Sequence, residues 1–402
     1  MRVLLVHQNF PAQFRHLLAE LLRRGDEVAA VGARARPEAT PGLRYLATGG
    51  QPALELRASF AREPLQAQLR QARRARRCFA ALAAGGWQPD VVLAHPFWGD
   101  VLLLDDVFPA VPLLAVMELD LAGLALRGGD RASIGSRQLL QWAETLASRR
   151  MAAGLTATAF QQATYPAWLR PRLHVIHEGI DTDRCAPDPF AVLTLPDGGR
   201  LSAAQPVLSF AARSLEHTRG IDRFVALLPE LMAAFPELQV VIAGREESLY
   251  GSPPPGGGSW LRHALQALPR PLPWPRLHLV GHLPHDQLLN LFRISSVHCY
   301  LSRPYVLSWS LLEAMSCGAL VLAGRTPATE EVIEHGRNGL LVPAGDPGAT
   351  LAAISGALQQ PAPLQPLRLA ARRTVAARYG VAEAVERQLA LLRSLAAPNP
   401  HG

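Results

Sequence analysis

The chain has no lysine: all 40 of its lysine-plus-arginine positions are arginine. Such uniform usage reads as a genome-composition bias rather than selection at each site. Cysteine is scarce, with four residues in 402 (Cys78, Cys185, Cys299 and Cys317) and no two in a C-x-x-C pair. That excludes a disulfide scaffold, argues against a zinc site, and reads as free thiols in a reducing cytoplasm. No apolar run reaches the ~18 residues that span a bilayer; the best, residues 107–117, stops at Glu118. The N-terminal run ahead of His7, Gln8 and Asn9 is too short for a secretory signal. Charged residues make up only 18% of the chain, but apolar ones reach 49%, so a wholly disordered chain is excluded. At roughly 150 residues per domain, the length predicts two or three domains.

The formal net charge of +7 is unevenly spread. Residues 1–77 hold 14 arginines against six carboxylates; the rest hold 26 against 27. Arg70, Arg73, Arg74 and Arg77 fall at helical spacing and share one face. Such a stripe suits an anionic membrane surface, worth ~1 kcal/mol per arginine, or is an ordinary solvated helix face. No aromatics interleave with it and no nucleic-acid module is apparent, so nucleic acid is not expected as a partner.

Short apolar runs alternate with helical patterns twice over. In the first half, strands are predicted near residues 2–6, 27–31, 91–94, 112–116, 155–158 and 173–176, with helices over 14–24, 64–84 and 136–151. In the second half, strands are predicted at 207–210, 240–243, 277–280, 297–301, 320–323 and 340–342, with helices between them. This rhythm predicts α/β architecture with two parallel sheets, as two Rossmann-like domains facing each other across a cleft. The expected boundaries are an N-terminal domain over 1–185, a linker over 186–205, a C-terminal domain over 206–378, and a final helix over 379–402 packing back toward the first domain. The Pro- and Gly-rich stretch 251–275 is expected as a surface excursion.

Ligands in open parallel sheets bind beyond the carboxyl ends of the strands, so residues following strands are the candidates. Arg213-Ser-Leu-Glu-His-Thr-Arg219-Gly220 follows one strand and opens a helix. Two guanidinium groups beside a helix N-terminus form a diphosphate grip. Residues 304–318, PYVLSWSLLEAMSCG, repeat the arrangement. Ser308 is the candidate N-cap there, and Glu313, between apolar neighbours, is a candidate acceptor for two ribose hydroxyls. Asp181-Thr-Asp183 mimics a metal-binding triplet but reads as a turn cap. No cluster elsewhere has metal-ligand spacing, and no metal or cofactor is expected.

Together these segments resemble a family 4 glycosyltransferase, a retaining enzyme of the GT-B fold, from the branch that builds bacterial exopolysaccharide and lipopolysaccharide. The resemblance is most specific in HQNFPAQFRHL (7–17), VIHEGIDT (175–182), the 213–220 segment and VLSWSLLEAMSCG (306–318). It implies that Arg213 and Arg219 grip the donor diphosphate, Arg219 standing where lysine is usual. It implies that Glu313, the second glutamate of an E-x7-E signature, binds the ribose. The first glutamate is replaced by Tyr305, and the glycine-rich turn there by Val306 and Leu307. Backbone amides around Leu307, Ser308 and Trp309 are expected to meet phosphate and sugar, and Gly281 and His282 the base. On the acceptor side the resemblance points to His95, in AHPFWGD, together with Asn9, Gln13 and Glu118.

The implied activity is a cytoplasmic, metal-independent transfer from a nucleoside diphosphate sugar to a glycan acceptor, lipid-linked by the branch resembled, at the inner face of the membrane. A non-catalytic protein that binds nucleotide sugar or a partner stays open because of Tyr305, and a nucleotide-sugar epimerase ranks below both.

Overall fold

The computed structural model describes residues 1–35, 39–49, 63–127, 133–248 and 251–397. It divides into two compact units: Met1–Gly179 with Val381–Gly402, and Ile180–Gly380.

In the first unit the strands are β1 (Arg2–Val6), β2 (Glu27–Gly32), β3 (Leu43–Ala47), β4 (Val91–Ala94), β5 (Leu113–Val116), β6 (Ala153–Thr156) and β7 (Leu173–Val175). They form one parallel sheet in the order β3-β2-β1-β4-β5-β6-β7. The direction of winding reverses between β1 and β4, so the crevice past their carboxyl ends is the ligand position that this topology creates. β1, β4 and β5 are nearly continuous apolar runs because helices cover both faces of the sheet. The helices are α1 (Arg15–Arg23), α2 (Pro64–Ala84), α3 (Leu121–Arg127), α4 (Ile134–Leu140), α5 (Trp142–Arg150) and α6 (Ala159–Thr164).

Two expectations need correction here. The single helix over 136–151 is two helices, broken at Gln141. The Gln141 side chain turns inward, accepting from Leu121 N–H at 2.6 Å and donating to the Leu119 carbonyl at 2.6 Å. The edge strand β3 was not anticipated, since most of LRYLA is half-buried or exposed and shows no clean alternation.

In the second unit β8 (Val192–Thr194) and β9 (Arg200–Ser202) form an antiparallel hairpin. This falls where a linker over 186–205 was expected. Leu193, Leu195 and Leu201 bury in the same core as Leu311 and Met315, so the segment is part of the domain rather than a tether. The first unit ends at Gly179, not at 185.

The second parallel sheet consists of β10 (Val207–Ser214), β11 (Gln239–Arg245), β12 (Leu277–Gly281), β13 (Val297–Tyr300), β14 (Val321–Arg325) and β15 (Leu340–Pro343). Its order, β12-β11-β10-β13-β14-β15, repeats the winding of the first, with the reversal between β10 and β13. Its helices are α7 (Ile221–Ala234), α8 (Trp260–Gln266), α9 (His285–Ile294), α10 (Trp309–Ser316), α11 (Pro327–Glu330), α12 (Pro347–Gln359) and α13 (Gln365–Arg378). The 251–275 excursion therefore carries a helix, α8, capped by the Ser259 hydroxyl on Arg262 N–H.

The last helix, α14 (Val381–Ala396), belongs to the first unit, where Val385, Leu389 and Leu392 bury beside Leu17, Leu21 and Val3. Among the described residues no helix is long and apolar enough to cross a membrane.

Candidate active site

At the reversal point of the first sheet, β1 delivers His7 and β4 delivers His95. Their rings lie 5.1 Å apart, and each residue is about 95% buried. Hydrogen bonds fix the tautomer of His7. Asn9 N–H donates to His7 Nδ1 at 2.9 Å, so the His7 proton sits on Nε2, which meets Gln13 Oε1 at 2.6 Å. Gln13 Nε2 then donates to Glu118 Oε1 at 3.4 Å, and Glu118 Oε2 lies 3.6 Å from His95 Nε2. Burial and the neighbouring His95 charge lower the His7 pKa to about 3, so His7 stays neutral. For His95 burial opposes the charge, but the carboxylates of Glu118, Glu144 and Asp100 outweigh it and raise the pKa.

Two further acids complete the cluster. Burial pushes Asp100 up to about 6 and Glu144 up to about 8. Asp100 accepts from Gln71 at 2.7 Å and Glu144 from the Tyr165 hydroxyl at 2.8 Å. Gly99 holds the turn after β4 with φ +92°; a Cβ there would lie 2.5 Å from the Gln68 carbonyl oxygen.

The second reversal point has different chemistry. The β10 register slips between Ala211 and Ser214, and Arg213 stands exposed at this irregularity. Glu216, fully buried, pins the following loop by accepting from Ser214 Oγ at 2.6 Å and Gly251 N–H at 2.7 Å. Gly220 ends the loop at φ +81°, and a Cβ there would meet the Leu301 carbonyl at 2.3 Å. No side chain other than glycine fits so close an approach in the left-handed region.

Between this loop and β13 lies a shallow pocket lined by Arg213, Arg219, Tyr300, Ser302, Ser308 and Ser310 among others. Ser308 occupies the N-cap position of α10 but does not cap it. Its hydroxyl pairs with Ser310 Oγ at 2.7 Å and its N–H reaches the Tyr300 hydroxyl at 3.3 Å. Guanidinium groups and a helix N-terminus thus share one pocket, a setting for an anion. The Arg219 guanidinium also lies 5.4 Å from the centre of the Tyr305 ring, within cation–π range.

Two family models match the chain: "Glycosyl transferase family 4 group" over residues 24–185 and "Glycosyl transferases group 1" over 200–374. The chain belongs to the family 4 glycosyltransferases. D-inositol 3-phosphate glycosyltransferase 1 of Catenulispora acidiphila is 28% identical over 76% of this chain and 72% of its own length. Phosphatidyl-myo-inositol mannosyltransferase of Mycolicibacterium smegmatis is 29% identical over 37% of this chain and 35% of its own length. Among solved structures, sucrose-phosphate synthase of Thermosynechococcus elongatus matches with a TM-score of 0.76 at 18% identity, covering 98% of this chain and 99% of that one. Anabaena HepE in complex with UDP-glucose matches with a TM-score of 0.69 at 15% identity, covering 98% of this chain and all of that one. These likenesses show the fold, that of the GT-B glycosyltransferases.

Within this glycosyltransferase, the structure brings together Arg213, Arg219 and Ser308 in one pocket, and Gln13, His95 and Glu118 in one cluster. Asn9 joins that cluster through its backbone N–H alone; its side chain is exposed. Leu307 is buried and Trp309 half-buried at the start of α10. Glu313 is not the solvated helix residue that its position also allowed: it is 5% exposed and accepts from His285 Nε2 at 2.9 Å. Gly281 and His282 are exposed at the end of β12 and are not among the residues lining the pocket. Sequence reasoning missed His7, Asp100, Glu144 and His285. His7 and Asp100 stand inside the segments HQNFPAQFRHL and AHPFWGD, but only the fold supplies the neighbours of all four.

On α2, Arg70, Arg73 and Arg77 are exposed and Arg74 half-buried, while Ala72, Ala75 and Phe79 turn inward. Arg36, Arg57 and Arg62, which contribute to the basic N-terminal stretch, lie outside the described residues.

Proposed function

We propose that this glycosyltransferase is a retaining, metal-independent enzyme. It takes a sugar from a nucleoside diphosphate sugar and passes it to a glycan acceptor carried on a lipid, in the synthesis of a bacterial surface polysaccharide. The observation that carries the reading is the convergence of Arg213, Arg219 and the N-terminus of α10 on one pocket. As the glycosidic bond to phosphate breaks, negative charge builds on the leaving diphosphate, and fixed cations and helix N–H groups stabilise it without a metal. In the same-face transfer the leaving phosphate takes the proton of the attacking acceptor hydroxyl, so no separate carboxylate nucleophile is required. Glu313 is read as the ribose acceptor, and His95 as a sugar-side or acceptor-side group whose pKa its neighbouring carboxylates raise.

A lipid-borne acceptor is supported by the exposed arginines of α2 and by relatives named for phosphatidylinositol substrates. The same features favour work at the cytoplasmic face of the membrane. A second reading, a protein that binds nucleotide sugar without transferring it, is favoured by Tyr305, whose ring lies against Arg219 where the family's first glutamate is expected.

The test is a thermal-shift panel with UDP, GDP and ADP and their common sugar conjugates, each with magnesium and with EDTA. Bound ligand stabilises as RT ln(1 + [L]/Kd), so even a weak donor registers at millimolar concentration. A shift selective for one base and indifferent to EDTA supports the donor site; a shift that needs magnesium removes the metal-independent part of the reading. Donor hydrolysis or transfer in the same samples separates the enzyme from the binding protein. No shift with any nucleotide overturns both readings.

A further inference from the structure

The geometry points to His285 as the positioning residue of the nucleoside half of the donor site, setting the Glu313 carboxylate for the ribose. The inference rests on the reading of Glu313 as ribose acceptor and extends it to a residue outside every motif of the chain.

His285 is the first residue of α9, reached by the short turn that leaves β12. Its Nε2 lies 2.9 Å from Glu313 Oε1. An ionised carboxylate only accepts, so His285 presents its proton on Nε2. Glu313 sits one helical turn below Trp309 on α10, is 5% exposed, and has apolar neighbours in Leu311, Leu312 and Met315. A flexible carboxylate in such a setting is held by its hydrogen bonds, and this is the one bond to its side chain seen among the described residues. The imidazole is itself seated on a helix that packs through Leu289, Leu291 and Phe292. His285 therefore fixes one oxygen of Glu313 in place. A carboxylate has about four acceptor positions, so one bond to Oε1 leaves lone pairs on both oxygens for a pair of vicinal hydroxyls.

This arrangement also ties two elements together. The β12–α9 turn, read from sequence as the base side of the site, and α10, which presents its N-terminus to the diphosphate pocket, meet in the His285–Glu313 bond. Ribose recognition then depends on a residue that need not touch the nucleotide.

The experiment is calorimetric titration of the full chain with UDP, GDP and ADP, their 2′-deoxy counterparts, and inorganic pyrophosphate. The proteins are wild type, His285→Ala, His285→Gln, Glu313→Ala and the His285→Ala/Glu313→Ala pair. His285→Ala is expected to weaken the preferred ribonucleoside diphosphate about tenfold, to shrink its advantage over the 2′-deoxy form, and to leave pyrophosphate unchanged. His285→Gln, which keeps a side-chain donor, is expected to recover part of the loss. In the Glu313→Ala background the His285 change should cost nothing further.

An unchanged or tighter ribonucleotide affinity in His285→Ala overturns the positioning role. Equal losses for nucleotide and pyrophosphate do so as well, because they report general damage to the domain. If Glu313→Ala leaves the ribo-over-deoxy preference intact, the ribose reading itself fails, whatever His285 does. If wild type binds pyrophosphate but none of the nucleotides, both fail.

Discussion

The two sheets share one winding order, and each opens a crevice where that order reverses, but the two crevices are furnished in opposite ways. In the first, His7, His95, Asp100 and Glu144 are almost wholly buried, and His7, Asp100 and Glu144 bond the side chains of Gln13, Gln71 and Tyr165. In the second, Arg213 is exposed, Arg219 half-buried, and the helix beyond them is left uncapped by Ser308. One crevice buries its polar groups and raises the pKa of one imidazole; the other sets two guanidinium groups beside a helix N-terminus. Identical topology thus supplies two positions, and the local residues give each its own chemistry.

The sharpest way to break this comparison is to remove the cations of the second crevice. Arg213→Ala and Arg219→Ala should each cost about 1.5–3 kcal/mol of nucleoside diphosphate affinity, and the double variant about a hundredfold or more by calorimetry. His95→Ala should lower turnover while leaving that affinity within about threefold. Equal effects on affinity from the two crevices would erase the distinction.

Glu144 tests the buried crevice through pH. Its folded pKa, raised to about 8 from the ordinary 4.5, means that the folded state binds a proton more tightly than the unfolded one. Stability from this group is therefore full below about pH 4.5 and is lost as pH rises to about 8. Glu144→Gln keeps the acceptor for the Tyr165 hydroxyl and removes the titration. It should flatten the decline and gain as much as ~4 kcal/mol relative to wild type at pH 8, read from denaturant melts across the range. A parallel decline in both proteins would show that Glu144 is ionised in the fold.

Gly99 and Gly220 pose the same question of backbone. Alanine at either meets a carbonyl oxygen at 2.5 or 2.3 Å in the left-handed region. Each should destabilise by about 3 kcal/mol, with a corresponding fall in Tm. Of the two, only Gly220→Ala should also weaken nucleotide binding in the protein that remains folded. The smallest effect concerns α2: each of Arg70, Arg73 and Arg77 changed to Glu should reduce binding to anionic vesicles, by ~1 kcal/mol per arginine removed, and leave neutral vesicles and nucleotide affinity unaffected.

The parallel sheets were legible because buried strands write themselves as short apolar runs, as in VVLA of β4, and because Arg213 and Glu313 follow such runs at recognisable spacing. The β8–β9 hairpin was not legible: its strands are three residues long and its turn looks like any Pro-, Asp- and Gly-rich linker. The break at Gln141 was hidden for another reason, since a glutamine reads as a helix former until its amide is seen capturing the Leu119 and Leu121 backbone. His285 and Glu144 lie far in sequence from the groups they serve, 28 residues from Glu313 and 21 from Tyr165. Long-range pairing of single polar side chains leaves no periodic trace in one sequence.

The most direct measurement is the affinity of the preferred nucleoside diphosphate for wild type and for Arg213→Ala/Arg219→Ala, each titrated in magnesium and in EDTA. Tight binding by wild type in both buffers and a loss of about a hundredfold or more in the variant is the expected result. Affinity that survives the double substitution, or that disappears with EDTA, would contradict a donor site built on arginines and a helix N-terminus.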